Sequence, residues 1–350
     1  MATMLAAEYR DGRVEVRQLA RPIPGPGEVL LRVEAAALCA TDLKIWQRGH
    51  RNIPPGTGTI LGHEVVGSVV EAGEGNGQHW LSKRVVVAPN IGCGHCPACQ
   101  VGRDSYCPDY RAFGVGLPGG LAQFMLVTAP AVVRGNLVEV PRDLPAELAV
   151  LAEAAGCCYR GLQACSLRPG EACMILGAGP MGILSIALAQ AMGAAPILAA
   201  DPLADRRLRA REFGADQELD PMAADFSERV RELTGGQGID VAVVTAPVAE
   251  AQRQAMLAAA VGGRVNLFAG LPGSGELDHF PSNLVHYRGL AVLGTTGATA
   301  ADLRAVVAMM TAGRLDLLRR VATASYPLSR VADALEEARL GRGIKTLVIP

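Results

Sequence analysis

The stretch Met174–Ala194, MILGAGPMGILSIALAQAMGA, decides how this chain is read. An apolar run enters Gly177, Gly179 and Gly182, spaced G-x-G-x-x-G, and an Ala/Leu-rich segment opening with Pro180 and Met181 follows. The first glycine permits a tight turn, the second lets backbone approach a pyrophosphate, and the third lets helix and strand pack closely. A helix beginning there turns its free N–H groups toward an anion. Glycine-rich turns are common, so the motif gains its meaning from the strand before it and the helix after it. The next apolar run ends at Asp201, about twenty residues on, where an acid binds the adenosine ribose hydroxyls and repels a 2′-phosphate. NAD is therefore expected over NADP, with Arg206 and Arg207 near enough to soften the preference. The competing reading of Asp201 is a helix N-cap before PLADRRL.

The same texture extends outward. ACMILGAG, APILAAD, IDVAVVTA and GGRVNLFAG are apolar runs, and the segments between them, such as LADRRLRAREFG and SERVRELTG, read as helices. Such alternation marks a parallel sheet covered on both faces, so residues 146–296 are expected to form a doubly wound Rossmann domain. Residues 1–145 instead hold short β-type runs bounded by Gly or Pro, among them GEVLLRVEAA, EVVGSVVEAG and KRVVVAP, and predict a β-rich domain. Beyond LAVLGTTG, TAADLRAVVAMMTAGRL reads as a helix, and RVADALEEARLGRGIKTLVIP as a helix and a strand that fits either sheet.

A chain of 350 residues suits two domains, and 50% hydrophobic with 19% charged residues describes a globular protein. The net charge is -1 with no basic block, which gives no reason to expect nucleic acid or an anionic membrane as partner. The N-terminus lacks a signal-peptide pattern, and the longest apolar run, Cys173–Gly193, is broken by Gly177, Gly179, Pro180 and Gly182. A cytoplasmic protein is expected, whose nine cysteines are thiols or metal ligands.

Four of those cysteines, Cys93, Cys96, Cys99 and Cys107, are spaced C-x2-C-x2-C-x7-C. Four thiolates saturate a tetrahedral Zn²⁺, and an Fe–S cluster accepts the same set. Zinc is favoured, because a closed, redox-inert site suits a Gly/Pro-rich loop, and such a site is structural. Chemistry is then sought in LCATDLKIW, with Cys39, Thr41, Asp42 and Lys44, and in ILGHEVVG, with His63 and Glu64. Alone, each is ordinary: a lone Cys is usually a small hydrophobe and a lone His a satisfied polar side chain.

Together, GHEVVGSVVEAG, CATD, the four-Cys loop and LGAGPMG resemble the medium-chain zinc-dependent alcohol dehydrogenase family along essentially the whole chain. The segments GHE and SNLVHYRGLAVLGTTG are similar to its polyol (sorbitol) and threonine dehydrogenase branch. The resemblance implies a β-rich, GroES-like catalytic domain to which residues 297–350 return. It also implies a catalytic zinc held by Cys39 and His63, with Glu64 as a ligand or close carboxylate. The third family position falls on Glu153, where the branch usually shows Glu-Pro-Leu and this chain has Ala154 and Ala155; Cys157 is a rival.

The implied chemistry is hydride transfer between a secondary alcohol of a polyol, sugar, aminocyclitol or amino-sugar and NAD, giving a ketone. Thr41 matches the hydroxyl residue that starts the proton relay, a role compatible with capping the following helix together with Asp42. The relay often continues at a His where Lys44 stands here, and an exposed Lys leaves the proton to water. Trp46, Tyr110 and Phe113 are candidates to line the pocket or to pack. A homodimer or homotetramer is implied. The alternatives are a metal-free-type NADPH quinone or enone reductase, against which the metal-type residues argue, and a nonenzymatic zinc- or nucleotide-binding protein.

Overall fold

The structure, a computed structural model, describes residues 2–273 and 280–350. The chain divides into two compact units, one running to Gly156 and resuming at Gly297–Pro350, the other Cys157–Thr296.

The second unit is built on a six-stranded parallel sheet. Its strand order is Gln217–Leu219, Ile197–Ala200, Cys173–Leu176, Ile239–Val244, Ala259–Leu267 and Ala291–Gly294. The order reverses on either side of Cys173–Leu176, so the glycine turn that follows it opens at the topological switch point. Helix Pro180–Ala191 buries every residue from Gly182 to Ala189, which explains its lack of a polar stripe. One core face gathers Met174, Leu176, Leu198, Ala242, Val244 and Val265. The short, partly polar strand Gln217–Leu219 has no apolar run to announce it.

In the first unit, the main sheet runs Leu137–Glu139, Arg84–Val87, Glu64–Ala72, Val29–Ala37, Lys345–Ile349 and Ala322–Pro327, with Phe124–Val127 also paired to Val29–Ala37. A smaller sheet joins Arg13–Ala20, Thr3–Arg10 and Thr59–Ile60. The strand whose own pattern fits either sheet, Lys345–Ile349, lies in this unit, between Val29–Ala37 and Ala322–Pro327. Helix Ala146–Ala149 packs against Val29–Ala37 and helix Ala300–Thr311, which carries the boundary past the expected 145 to Gly156.

Register then sets the site. Ala37, at the end of its strand, pairs with Glu64 on one side and Leu347 on the other, so residues distant in sequence meet at one end of the sheet.

Candidate active site

Chain direction changes sharply after Ala37. Cys39 is extended (φ -112, ψ 158) and is the N-cap of helix Ala40–Arg48, so Thr41 lies within the first turn and does not cap it. Asp42, fully buried, accepts the N–H of Cys39 on Oδ2 at 2.9 Å and the N–H of Gly62 on Oδ1 at 3.0 Å. One carboxylate therefore fixes both segments that carry metal-type residues. Its Oδ1 also lies 3.7 Å from His63 Nδ1.

The result is a cluster. One ligand atom each from Cys39, His63 and Glu64 lies within 4.8 Å of the others, and among the described residues the only other such group is Cys93, Cys96, Cys99 and Cys107. Glu153 is buried but falls outside both groups, although its charge is felt by Glu64 and Lys345. Thr41 Oγ1 is 3.9 Å from Cys39 Sγ. Lys44 is exposed, and Cys157 joins neither donor group. Phe113 is a core residue, Trp46 packs on the core, and the Tyr110 hydroxyl donates to Asn90 Oδ1 at 2.7 Å.

Sequence reasoning missed Lys345. Its Nζ donates to Glu64 Oε1 and, at 3.2 Å, to the carbonyl of Leu38. The signal was a charge opening the apolar strand KTLVI, a position that is 4% exposed. Burial opposes the charge on each group, yet mutual pairing wins at three of them. Asp42 is held below the usual carboxylate range by His63 and the two N–H groups, and His63 well above its ordinary value by Asp42 and Cys39. Lys345 is held up by Glu64, with Cys39 and Glu153 behind it. At Glu64 burial prevails over Lys345 and raises the carboxyl.

Glu64 Oε2 and His63 Nδ1 are buried without a hydrogen-bond partner, and leaving such atoms unsatisfied is costly. A thiol, an imidazole and a carboxylate with an orphaned oxygen are the donor chemistry that suits Zn²⁺. The residues present fit a zinc ion.

In the four-Cys loop, the N–H of Cys93 points at Cys107 Sγ at 3.2 Å and that of Cys96 at Cys93 Sγ at 3.4 Å. Backbone N–H groups of His95 and Cys96 draw the Cys93 thiol down to about 6, whereas burial pushes Cys99 up to about 12. One thiolate is thus preformed at neutral pH.

The three glycines of the turn divide the expected work. Gly177 has φ +102, braced by the Thr245 hydroxyl, which donates to its carbonyl at 2.7 Å. A Cβ on Gly182 would sit 1.8 Å from the Gly177 carbonyl oxygen, whereas one on Gly179 meets nothing within 4 Å. The backbone at Gly179 is therefore open to a ligand, at the N-cap of helix Pro180–Ala191. Asp201 is buried, and its two oxygens accept the N–H groups of Ala178 at 2.8 Å and Leu203 at 2.9 Å. It does not cap the next helix, whose N-cap is Leu203. Arg206 Nη1 lies 3.8 Å from Asp201 Oδ2.

Residues 25–140 match the alcohol dehydrogenase GroES-like domain, and residues 180–312 match the zinc-binding dehydrogenase domain. The L-threonine 3-dehydrogenase of Pyrococcus furiosus is 33% identical over 96% of this chain and 94% of its own length. A putative zinc-binding dehydrogenase from Sinorhizobium meliloti, solved bound to NADP, is 31% identical with a TM-score of 0.90, covering 100% of both chains. The 2R,3R-butanediol dehydrogenase of Bacillus subtilis is 25% identical with a TM-score of 0.88, covering 99% of both. Among the described residues no helix is long and apolar enough to cross a membrane. The chain belongs to the medium-chain zinc-dependent alcohol dehydrogenase family and is an oxidoreductase.

Proposed function

We propose that this protein oxidises a secondary alcohol on a polar small molecule to the ketone, with NAD as hydride acceptor. The observation that carries the reading is the convergence of Cys39, His63 and Glu64, whose Oε2 has no partner. Cys39, His63 and Glu64 would hold the catalytic zinc, with Glu153 as a carboxylate in reserve, and the four cysteines a structural zinc. When bound, zinc supplies Lewis acidity toward an alcohol oxygen and the nicotinamide supplies the hydride acceptor. Asp42 orients the donors through the Cys39 and Gly62 backbone and His63. The Thr41 hydroxyl, close to Cys39 Sγ, takes the alcohol proton as it hands its own to water, because Lys44 is exposed on the helix.

Asp201 carries the NAD preference. Each of its oxygens keeps a lone pair for a ribose hydroxyl, and its charge opposes a 2′-phosphate. The nearby Arg206 and the NADP in the Sinorhizobium relative weigh the other way. For the substrate, the relatives named for L-threonine and for 2R,3R-butanediol both imply a secondary alcohol flanked by a polar group. Polyols, sugars, aminocyclitols and amino-sugars share that feature. We place the protein in the cytoplasm as a homodimer or homotetramer, acting on a small molecule and not on nucleic acid or membrane.

The test is reduction of NAD and of NADP across a panel of L-threonine, 2,3-butanediol, polyols, cyclitols and amino-sugars, with and without a chelator. Chelator-sensitive turnover faster with NAD is the expected result. Protein carrying two zinc ions per chain that turns over no secondary alcohol with either cofactor would defeat the proposal.

A further inference from the structure

We propose that the second unit carries a further ligand site, apart from the glycine turn, that takes a small aliphatic carboxylate between Arg231 and Arg288. A cavity of about 290 Å³ lies there, at the low end of the range for small-molecule pockets. It opens where helices Phe226–Leu233, Ala249–Ala258 and Ser282–Arg288 meet the start of strand Ala259–Leu267. Strands Cys173–Leu176, Ile239–Val244 and Ala259–Leu267 run parallel, and the glycine turn follows the C-terminal end of the first. Gly238 and Ala259, which line the cavity, stand at the N-terminal ends of the other two. The cavity is therefore at the opposite edge of the sheet from the dinucleotide turn.

Its walls divide by chemistry. Val230, Leu257, Ala258 and Val261 make one side apolar. Between the pairs Ile239–Ala259 and Val241–Arg264 the second strand carries extra residues, and this bulge leaves Val261 82% exposed. Arg231 and Arg288 make the other side cationic, and no acidic side chain is among the described lining residues. Nearby arginines are already engaged by carboxylates, Arg229 by Glu232 at 2.6 Å and Arg253 by Glu250 at 2.5 Å. Arg231 has neither an ion pair nor a side-chain hydrogen bond among the described residues, so its whole planar fork is open to an anion.

The helix end selects the charge of the ligand. Helix Ala249–Ala258 finishes at the cavity, and the carbonyl end of a helix carries partial negative charge. Arg288 Nη1 donates to the carbonyls of Leu257 at 3.0 Å and Ala259 at 2.9 Å, which offsets part of it. The Arg231 fork and the remaining N–H groups of Arg288 are left, a match for the two oxygens of one carboxylate. Inorganic phosphate would bring a second negative charge to the same carbonyls and leave Leu257 and Val261 uncovered. A carboxylate on a branched chain of a few carbons satisfies both walls.

The experiment titrates full-length protein with 4-methylpentanoate, with the neutral 4-methylpentanamide and with inorganic phosphate by calorimetry, and locates binding by backbone amide shifts. The variants are Arg231→Gln and Val261→Asp, both at exposed positions where the fold tolerates change. The carboxylate is expected to bind at least about tenfold more tightly than the amide or phosphate and to shift the amides of residues 235–238 and 257–262. Each variant should lose that affinity about tenfold or more while NAD affinity stays unchanged. Absence of saturable binding, or an amide or phosphate held as tightly as the carboxylate, would overturn the proposal. So would an affinity unaltered in either variant, or shifts centred on Cys39 and His63, which would assign the carboxylate to the metal-type cluster instead.

Discussion

Asp42 Oδ1 lies 3.7 Å from His63 Nδ1, and the same carboxylate accepts the backbone N–H of Cys39. A group three residues past the N-cap of its helix thus lies against a side chain in a distant segment, just before strand Glu64–Ala72. Asp42→Asn loses the charge and one of the two acceptor oxygens. Catalytic-metal affinity should fall about 10–100-fold, with a like fall in turnover. Unfolding in urea should show a stability loss of about 1–3 kcal/mol from the backbone N–H left unpaired. Unchanged zinc affinity would remove Asp42 from the site.

The glycines of the turn should separate folding from binding. Gly182→Ala places a methyl 1.8 Å from the Gly177 carbonyl oxygen, and should cost about 2–3 kcal/mol of stability together with cofactor binding. Gly179 has φ -72 and open space around its Cβ, so Gly179→Ala should change stability by no more than about 0.5 kcal/mol. Its methyl nonetheless stands on the face open to ligand, and calorimetric titration should show dinucleotide affinity reduced about tenfold or more.

Asp201→Ala removes the charge that opposes a 2′-phosphate and unpairs the N–H groups of Ala178 and Leu203. The ratio of kcat/KM for NAD over NADP should fall about tenfold or more, with most of the loss on the NAD side. Arg206→Ala should move the ratio in the opposite direction, and an unaltered ratio in both variants would unseat Asp201.

In metal-stripped protein, Cys93 is a thiolate above about 6, whereas Cys99, pushed to about 12, stays protonated. Iodoacetamide at neutral pH should therefore label Cys93 before Cys99, as mapped by mass spectrometry. The sign is fixed by the lowered value: labelling falls away as pH drops through about 6 and is blocked once zinc is restored. Equal labelling of both thiols would contradict the N–H···S geometry.

What could be read from sequence was what is local. Gly177, Gly179 and Gly182 act within one strand–turn–helix, and Cys93 to Cys107 within one loop, so spacing alone carried them. Cys39, His63 and Glu64 were visible only through their resemblance to a family, because pairing register and not spacing brings their segments together. Lys345 was invisible for the same reason: 281 residues separate it from Glu64. Asp42 was read as a helix cap and does bond the N-cap N–H, but its second oxygen serves Gly62, a contact no pattern along the helix could announce. The strand Ala322–Pro327 escaped because its alternating exposure carries few strong apolar residues.

The placement of strand Lys345–Ile349 inside the first unit's sheet carries a consequence for biosynthesis. Residues 157–296 are contiguous and can form their own sheet as soon as they leave the ribosome. The unit that begins the chain cannot: the gap between Val29–Ala37 and Ala322–Pro327 stays open until residues 345–349 emerge, and Lys345 reaches Glu64 only then. The cluster of Cys39, His63, Glu64 and Lys345 is thus completed only after the whole of the second unit has been synthesised, and a ribosome-bound chain lacking residues 345–349 would hold the parallel sheet beside an unfinished first sheet.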